Sequence, residues 1–199
     1  MLNILLAGVG GQGTVLAAKV LAQAAQEKGW HVRTAETIGM AQRGGNVVSH
    51  VRMGDAGEEV YSSLIALGSA DMVIAFEPAE AAAAMKYLAP AGILATAQTG
   101  VQPVTAALSK NPYQAAGGLS EIRRLLGERA VFVDDALLTA EVGTTKALNT
   151  ILLASAVQTG QLPITVDDLR AAMAACVKPR FVELNNRAID VVCSAHARA

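Results

Sequence analysis

A three-layer α/β/α sandwich built on a mostly parallel sheet is the fold this sequence predicts, and three observations predict it. Short apolar runs without helical period alternate with amphipathic stretches along most of the 199 residues. A glycine cluster, Gly8 to Gly13, separates the first apolar run from the first amphipathic stretch. Alanine is abundant, glycine occurs 18 times and aromatic residues make up only 4% of the chain, a composition that lets helices pack closely on a sheet. No repeat of solenoid length and no low-complexity linker divides the chain, so residues 1–199 read as a single domain.

Leu2 to Ala7 is nearly continuous in apolar residues, as a strand buried on both faces is. Thr14 to Lys28 repeats Val15, Ala18, Leu21, Ala22 and Ala25 at helical spacing, with Gly29 where a left-handed cap is expected. Trp30 to Glu36 is the second strand, completing a right-handed strand–helix–strand unit. Thr37 to Gly45, with three glycines among polar residues, is a loop at that strand's carboxyl edge, where function often resides. Asn46 to Met53 alternates, Gly54 to Gly57 turns, and Glu59 to Leu64 is extended again, which reads as an antiparallel hairpin insertion. Asp71 to Phe76 is a buried strand, and Pro78 opens a helix over Ala79–Leu88. Ile93–Ala97 and Ala130–Val133 are further strands, separated by an irregular stretch from Thr99 to Gly118 and a helix from Ser120 to Leu126. Thr144–Thr159, Asp167–Ala175 and Arg180–Val192 are helical.

Charge and composition exclude several function classes. Sixteen Lys and Arg oppose seventeen Asp and Glu, so no basic field is available for a nucleic-acid backbone or an anionic membrane. No apolar run reaches the roughly 18 residues of a membrane span, and the N-terminus lacks the basic and small-residue features of a signal peptide, so a cytoplasmic location is expected. Cys176 and Cys193 are too few for an iron–sulfur cluster and read as helix-packing thiols.

Gly8-Val9-Gly10-Gly11-Gln12-Gly13 contains G-x-G-x-x-G between a strand and a helix, the context that makes it a phosphate loop of a Rossmann-like fold. Glycines used only for packing are the plainer alternative. Glu36 lies 23 residues beyond Gly13, near where a dinucleotide site places an acid for the ribose, although pairing with Arg43 or capping a turn suits it better. Glu77, before Pro78 at a helix start, reads as a dipole partner. Ser49 and His50 lack a nucleophile elbow, and Asp134-Asp135 lack the further ligands of a metal site.

The same glycine cluster, followed by Gly39-Met40-Ala41-Gln42-Arg43-Gly44-Gly45-Asn46 and, further on, by Phe76-Glu77-Pro78 and Lys178-Pro179, resembles the gamma-type chains of 2-oxoacid:ferredoxin oxidoreductases, most of all those of the indolepyruvate type. The resemblance covers almost the whole chain. It implies a subunit of an enzyme that converts an aryl 2-oxoacid and coenzyme A to acyl-CoA and carbon dioxide, with electrons passing to ferredoxin. Thiamine diphosphate, Mg2+ and [4Fe-4S] clusters are then expected on a large partner subunit, in keeping with the absence here of a Gly-Asp-Gly thiamine segment. Carried onto matching positions, Gly8, Gly10, Gly11, Gln12 and Gly13 would face the ADP part of coenzyme A, and the loop with Gln42, Arg43, Gly44 and Gly45 would close over it. Relatives place lysine where this chain has Ala41 and Gln42, which leaves Arg43 as the cation able to grip a phosphate. The rival readings are a stand-alone NAD(P)-dependent dehydrogenase using the same loop, and a non-catalytic module that stabilises partners.

Overall fold

Residues 1–39, 45–55, 57–101 and 115–198 are described by a computed structural model. Their strands form one six-stranded sheet: β1 (Leu2–Val9), β2 (His31–Ile38), β3 (Asn46–Gly54), β4 (Ala70–Ala75), β5 (Leu88–Ala97) and β6 (Ala130–Val133). The order across the sheet is β2-β3-β1-β4-β5-β6. β1, β4, β5 and β6 run parallel, whereas β3 is antiparallel to both of its neighbours.

Strand periodicity divides the core between two faces. Ile4 and Leu6 of β1, with Met72, Ile74 and Phe76 at and after β4, enter the larger cluster. That side is covered by α1 (Thr14–Glu27), α4 (Asp135–Val142), α5 (Leu148–Gln158), α6 (Val166–Cys176) and α7 (Val182–His196). Leu5, Ala7, Val73 and Ala75 point to the opposite face, under α2 (Pro78–Ala84) and α3 (Ala115–Leu126), which contribute Ala81, Ala84 and Ile122. Each fully buried Leu or Ile contributes about 2 kcal/mol by removal from water. Ala17, Ala18, Ala24 and Ala25 line the buried side of α1, the close helix-on-sheet contact that the alanine-rich composition implies.

Several local readings are corrected. Glu59–Leu64 is not a strand, and the hairpin joins β2 to β3, with Ile38 opposite Val47 and His31 opposite Gly54. The chain after β3 has its carbonyls bound by side chains instead of a ladder: Arg52 donates to Ser62 O at 3.0 Å and Leu64 O at 3.3 Å, and Arg33 to Val60 O at 3.3 Å. β3 also stands between β1 and β2, so the strand–helix–strand unit is not formed by adjacent strands. The helix after Pro78 ends at Ala84, where a 3-10 turn (Met85–Tyr87) leads directly into β5. α4 was not anticipated at all; Asp134 caps it by accepting from Leu137 N at 3.0 Å, and Gly143 closes it in a left-handed conformation. Of the stretch expected to be irregular, residues 102–114 lie outside the described residues, and helix α3 is already formed at Ala115.

Candidate ligand-binding site

The glycine loop is fixed by its own backbone and by one side chain. Gln12 Oε1 accepts from Val9 N at 2.7 Å while its Nε2 donates to Phe76 O at 3.0 Å, which ties the carboxyl ends of β1 and β4 together. Gly10 N donates to Gly45 O at 2.9 Å, so the second glycine-rich segment ends directly against the first. Gly8 belongs to the packing: a Cβ there would lie 2.9 Å from Gln12 Oε1, Phe76 Cβ and Thr14 Oγ1. Gly11 and Gly13 have φ of 100° and 85°, a region in which other residues are strained.

Gly13 is also the N-cap of α1 and supplies no side-chain cap. The first helical bond runs from Ala17 N to Gly13 O, so the amides of Thr14, Val15 and Leu16 have no acceptor within the helix. The first turn holds no acidic residue. Such a terminus attracts an anion through its dipole and its amides together.

Beside it lies a cavity of about 690 Å³ at the carboxyl edge of the parallel strands, where open α/β sheets place their ligands. Gly11, Gln12 and Gly13 border one side, and Leu16, Phe76 and Leu148 supply apolar surface. Asp135 and Thr139 of α4, with Thr99 after β5, border another part. Thr145 and Lys146 reach it from the 3-10 turn that precedes α5, and Asn149 stands within 3.2 Å of where a Gly13 Cβ would be. Among the described residues Lys146 has no ion-pair partner, which leaves its charge available to the cavity.

The structure thus brings Gly11, Gln12 and Gly13 to the cavity and sets Gly10 and Gly45 against each other behind it, whereas Gly8 is part of the core. Gln42, Arg43 and Gly44 lie outside the described residues. Glu36 is exposed on edge strand β2, opposite Ser49 of β3. Glu77 caps α2 through Ala79 N at 2.7 Å and Glu80 N at 3.1 Å, the dipole role expected of it. Burial, and then the Glu77 charge, push the Glu80 carboxyl above its ordinary range. His50 is a buried strand residue whose Nδ1 accepts from Ile65 N at 3.2 Å, and burial lowers its pKa from the ordinary 6.5.

Asp135, Lys146 and Asn149 were missed by sequence reasoning. A signal was present: an Asp pair directly follows the last strand, and Gly143-Thr144-Thr145-Lys146 precedes the next helix, both at the sheet edge where ligands bind. The cysteines sit on separate helices, Cys193 Sγ accepting from Gln158 Nε2 at 3.0 Å and Cys176 packed against α1. Among the described residues no group of three or more His, Cys, Asp or Glu is placed to hold a metal ion, and two cysteines do not supply the thiolates of a [4Fe-4S] cluster.

Comparison with known proteins places this geometry in a family. The pyruvate ferredoxin/flavodoxin oxidoreductase family model matches residues 3–195. The indolepyruvate oxidoreductase subunit IorB of Pyrococcus horikoshii is 33% identical over 95% of this chain and 93% of its own length. That of Archaeoglobus fulgidus is 34% identical over 96% and 92%. Among solved structures, the gamma subunit of a keto/oxoacid ferredoxin oxidoreductase from Geobacter sulfurreducens matches with a TM-score of 0.69 and 22% identity, over 100% of both chains. The 2-oxoglutarate:ferredoxin oxidoreductase from Magnetococcus marinus, a structure with 2-oxoglutarate, coenzyme A and succinyl-CoA bound, matches with a TM-score of 0.70 and 17% identity over 100% of this chain and 31% of that one. The structural matches show the same α/β fold, and the match over nearly the full length, joined by relatives a third identical, identifies the chain as a member of the pyruvate ferredoxin/flavodoxin oxidoreductase family.

Proposed function

We propose that residues 1–199 form the gamma-type domain of an indolepyruvate-type 2-oxoacid:ferredoxin oxidoreductase, and that this chain binds coenzyme A for the reaction without carrying its redox centres. The observation that carries the coenzyme A assignment is the uncapped, acid-free start of α1, opening with Gly11 and Gly13 onto a large cavity bordered by Lys146. Amides and an unpaired ammonium suit a diphosphate, and the apolar surface of Leu16, Phe76 and Leu148 suits the rest of a long ligand. Gln42, Arg43 and Gly44 of the second loop, which ends at Gly45 against Gly10, are assigned to the phosphates as part of the same proposal, Arg43 as the cation. The names of the relatives at about a third identity support the indolepyruvate substrate class.

In this reading the large partner subunit holds thiamine diphosphate, Mg2+ and the [4Fe-4S] clusters; among the described residues no group of three or more His, Cys, Asp or Glu is placed to hold a metal ion, and the sequence has only two cysteines. The carboxylate of the 2-oxoacid leaves as carbon dioxide, an electron pair passes to ferredoxin, and the acyl carbon becomes bonded to the sulfur of coenzyme A. This chain contributes by seating the phosphates so that the thiol reaches the partner's active site. A cytoplasmic location is part of the same proposal. No helix among the described residues is long and apolar enough to cross a membrane.

The test is anaerobic purification of the chain from its native cell. Co-purification in fixed ratio with a large subunit carrying iron–sulfur absorbance and thiamine diphosphate, together with coenzyme A-dependent oxidation of an aryl 2-oxoacid, is expected. A chain that emerges alone and binds NAD or NADP saturably overturns the reading.

A further inference from the structure

Lys178-Pro179-Arg180-Phe181 joins α6 to α7 at the surface, and a buried polar pair holds it in place. Pro179 opens a 3-10 turn (Pro179–Phe181), in which Phe181 N donates to Lys178 O at 2.8 Å. Asn185 of α7, a buried residue, donates through Nδ2 to Phe181 O at 2.7 Å, while its Oδ1 accepts from Thr150 Oγ1 of α5. A buried pair whose bonds are satisfied rigidifies what it holds. What it holds here is open to solvent: Phe181 is 40% exposed, and Lys178 and Arg180 are exposed beside it. The Arg180 guanidinium lies over the Phe181 ring, 4.7 Å from its centroid, a stacking that leaves the guanidinium edge for a carboxylate.

The whole chain carries a net charge of −1, yet this surface is locally basic. Lys178, Arg180 and Arg187 form no ion pair among the described residues; Arg187 donates to Glu141 O, a backbone carbonyl, at 3.1 Å. Of the acids nearby, Glu141 is paired with Arg198 at 3.8 Å, and Glu183 stands in the first turn of α7, where it complements the dipole of its own helix. A rigid turn that presents an aromatic ring, an arginine stacked on it and further cations fits a protein surface with an apolar recess rimmed by carboxylates. The turn also stands near the cavity. α7 packs against the 3-10 turn Thr145–Ala147, whose Thr145 and Lys146 border the cavity, and Thr150, which anchors Asn185, follows the cavity residue Asn149.

We propose that Lys178–Phe181 is a docking surface for the large partner subunit, with Phe181 entering an apolar recess of that subunit and Arg180, flanked by Lys178 and Arg187, meeting carboxylates at the rim. The proposal rests on the reading above, in which a large subunit carries the redox centres, and goes beyond it by naming the surface and the chemistry of the partner face. A subunit seated there stands near the cavity, as a thiol that must pass from one chain to the other requires.

Phe181→Ala and Arg180→Glu alter exposed side chains and leave the Asn185–Thr150 pair intact. Each variant is coexpressed with the large subunit, and the dissociation constant of the purified complex is measured by analytical ultracentrifugation at low and at high salt. F181A is expected to weaken assembly about tenfold at both. R180E is expected to weaken it about tenfold at low salt, with a smaller difference at high salt. Tyr61→Ala, at an exposed aromatic in the chain after β3, is expected to leave assembly unchanged. Affinities of F181A and R180E equal to wild type overturn the proposal, as does equal weakening by Y61A. Self-association of the isolated chain that F181A abolishes assigns the turn to a second copy and overturns it too. Should the variants fail to fold, amide exchange in the wild type decides: slower exchange at Arg180 and Phe181 in the complex than in the isolated chain is expected, and equal rates overturn the proposal. A wild-type chain that binds no large subunit refutes the underlying reading, and this inference with it.

Discussion

The sheet's parallel half and its antiparallel half are held together by different means. At the carboxyl ends of β1 and β4 an amide, a carboxylate and one backbone bond clamp main-chain groups at the turns and helix starts: the Gln12 side chain ties Val9 N to Phe76 O, Gly10 N bonds Gly45 O, and the Glu77 carboxylate caps α2. Around β3 long side chains do the equivalent task, with Arg52 holding Asn3, Ser62 and Leu64, and His50 holding the Ile65 amide. A ligand site built from backbone amides and helix starts needs the first arrangement, because parallel strands end side by side and their following helices begin there. The second arrangement tolerates an irregular chain over residues 58–69 but offers few free amides at one place.

If that contrast is correct, the largest single effect comes from crowding the parallel half. Gly8→Val places a side chain within 2.9 Å of Gln12, Phe76 and Thr14, and a loss of about 3 kcal/mol in denaturant unfolding is expected. A stability within error of wild type breaks the claim that Gly8 is a packing position. Gln12→Ala comes next: it leaves Val9 N and Phe76 O without their partner, at about 2 kcal/mol. It should also weaken coenzyme A binding in the assembled complex, since the amides of the loop lose their brace.

Effects on the antiparallel half should be smaller and separable from binding. Arg52→Ala removes the bonds to Asn3, Ser62 and Leu64, a loss of about 1 kcal/mol with faster amide exchange confined to residues 58–69 and unchanged coenzyme A affinity. Weakened affinity there would show that the two halves are coupled. The smallest effect is a pH dependence. Burial holds the His50 pKa below 6.5, so the unfolded chain takes up a proton before the folded one does. Its contribution to stability is full above 6.5 and is lost as pH falls through the lower folded value. Melting temperatures followed downward from pH 8 should drop less for His50→Gln than for wild type; parallel curves would remove His50 from the account.

Much of the cavity edge was legible from local pattern. The glycines between an apolar run and an amphipathic one announce a strand, a tight turn and an exposed helix start, all set by residues close in sequence. Pro78 and Glu77 announced α2 in the same way. The stretch after β3 misled because extended chain held by arginine side chains has the same residue pattern as a strand held by a ladder. α4 was missed because the face it buries at helical spacing, Asp135, Leu138, Thr139 and Val142, is half polar, so apolar residues alone do not mark it.

By itself, then, the sequence determined the α/β class, the buried strands, the glycine turn between β1 and α1 and the small cysteine count, since each depends on side-chain period, on glycine's access to positive φ, or on the residue types present. Only the tertiary structure decided that β3 enters between β1 and β2, because alternation tells which face a residue takes and not which edge its strand joins. Only the tertiary structure, too, set Asp135, Lys146 and Asn149 around Gly11 and Gly13. Gly11 follows β1 and Asp135 follows β6, so the parallel strands deliver both to a single edge, while Lys146 and Asn149 join them from the turn and helix after α4.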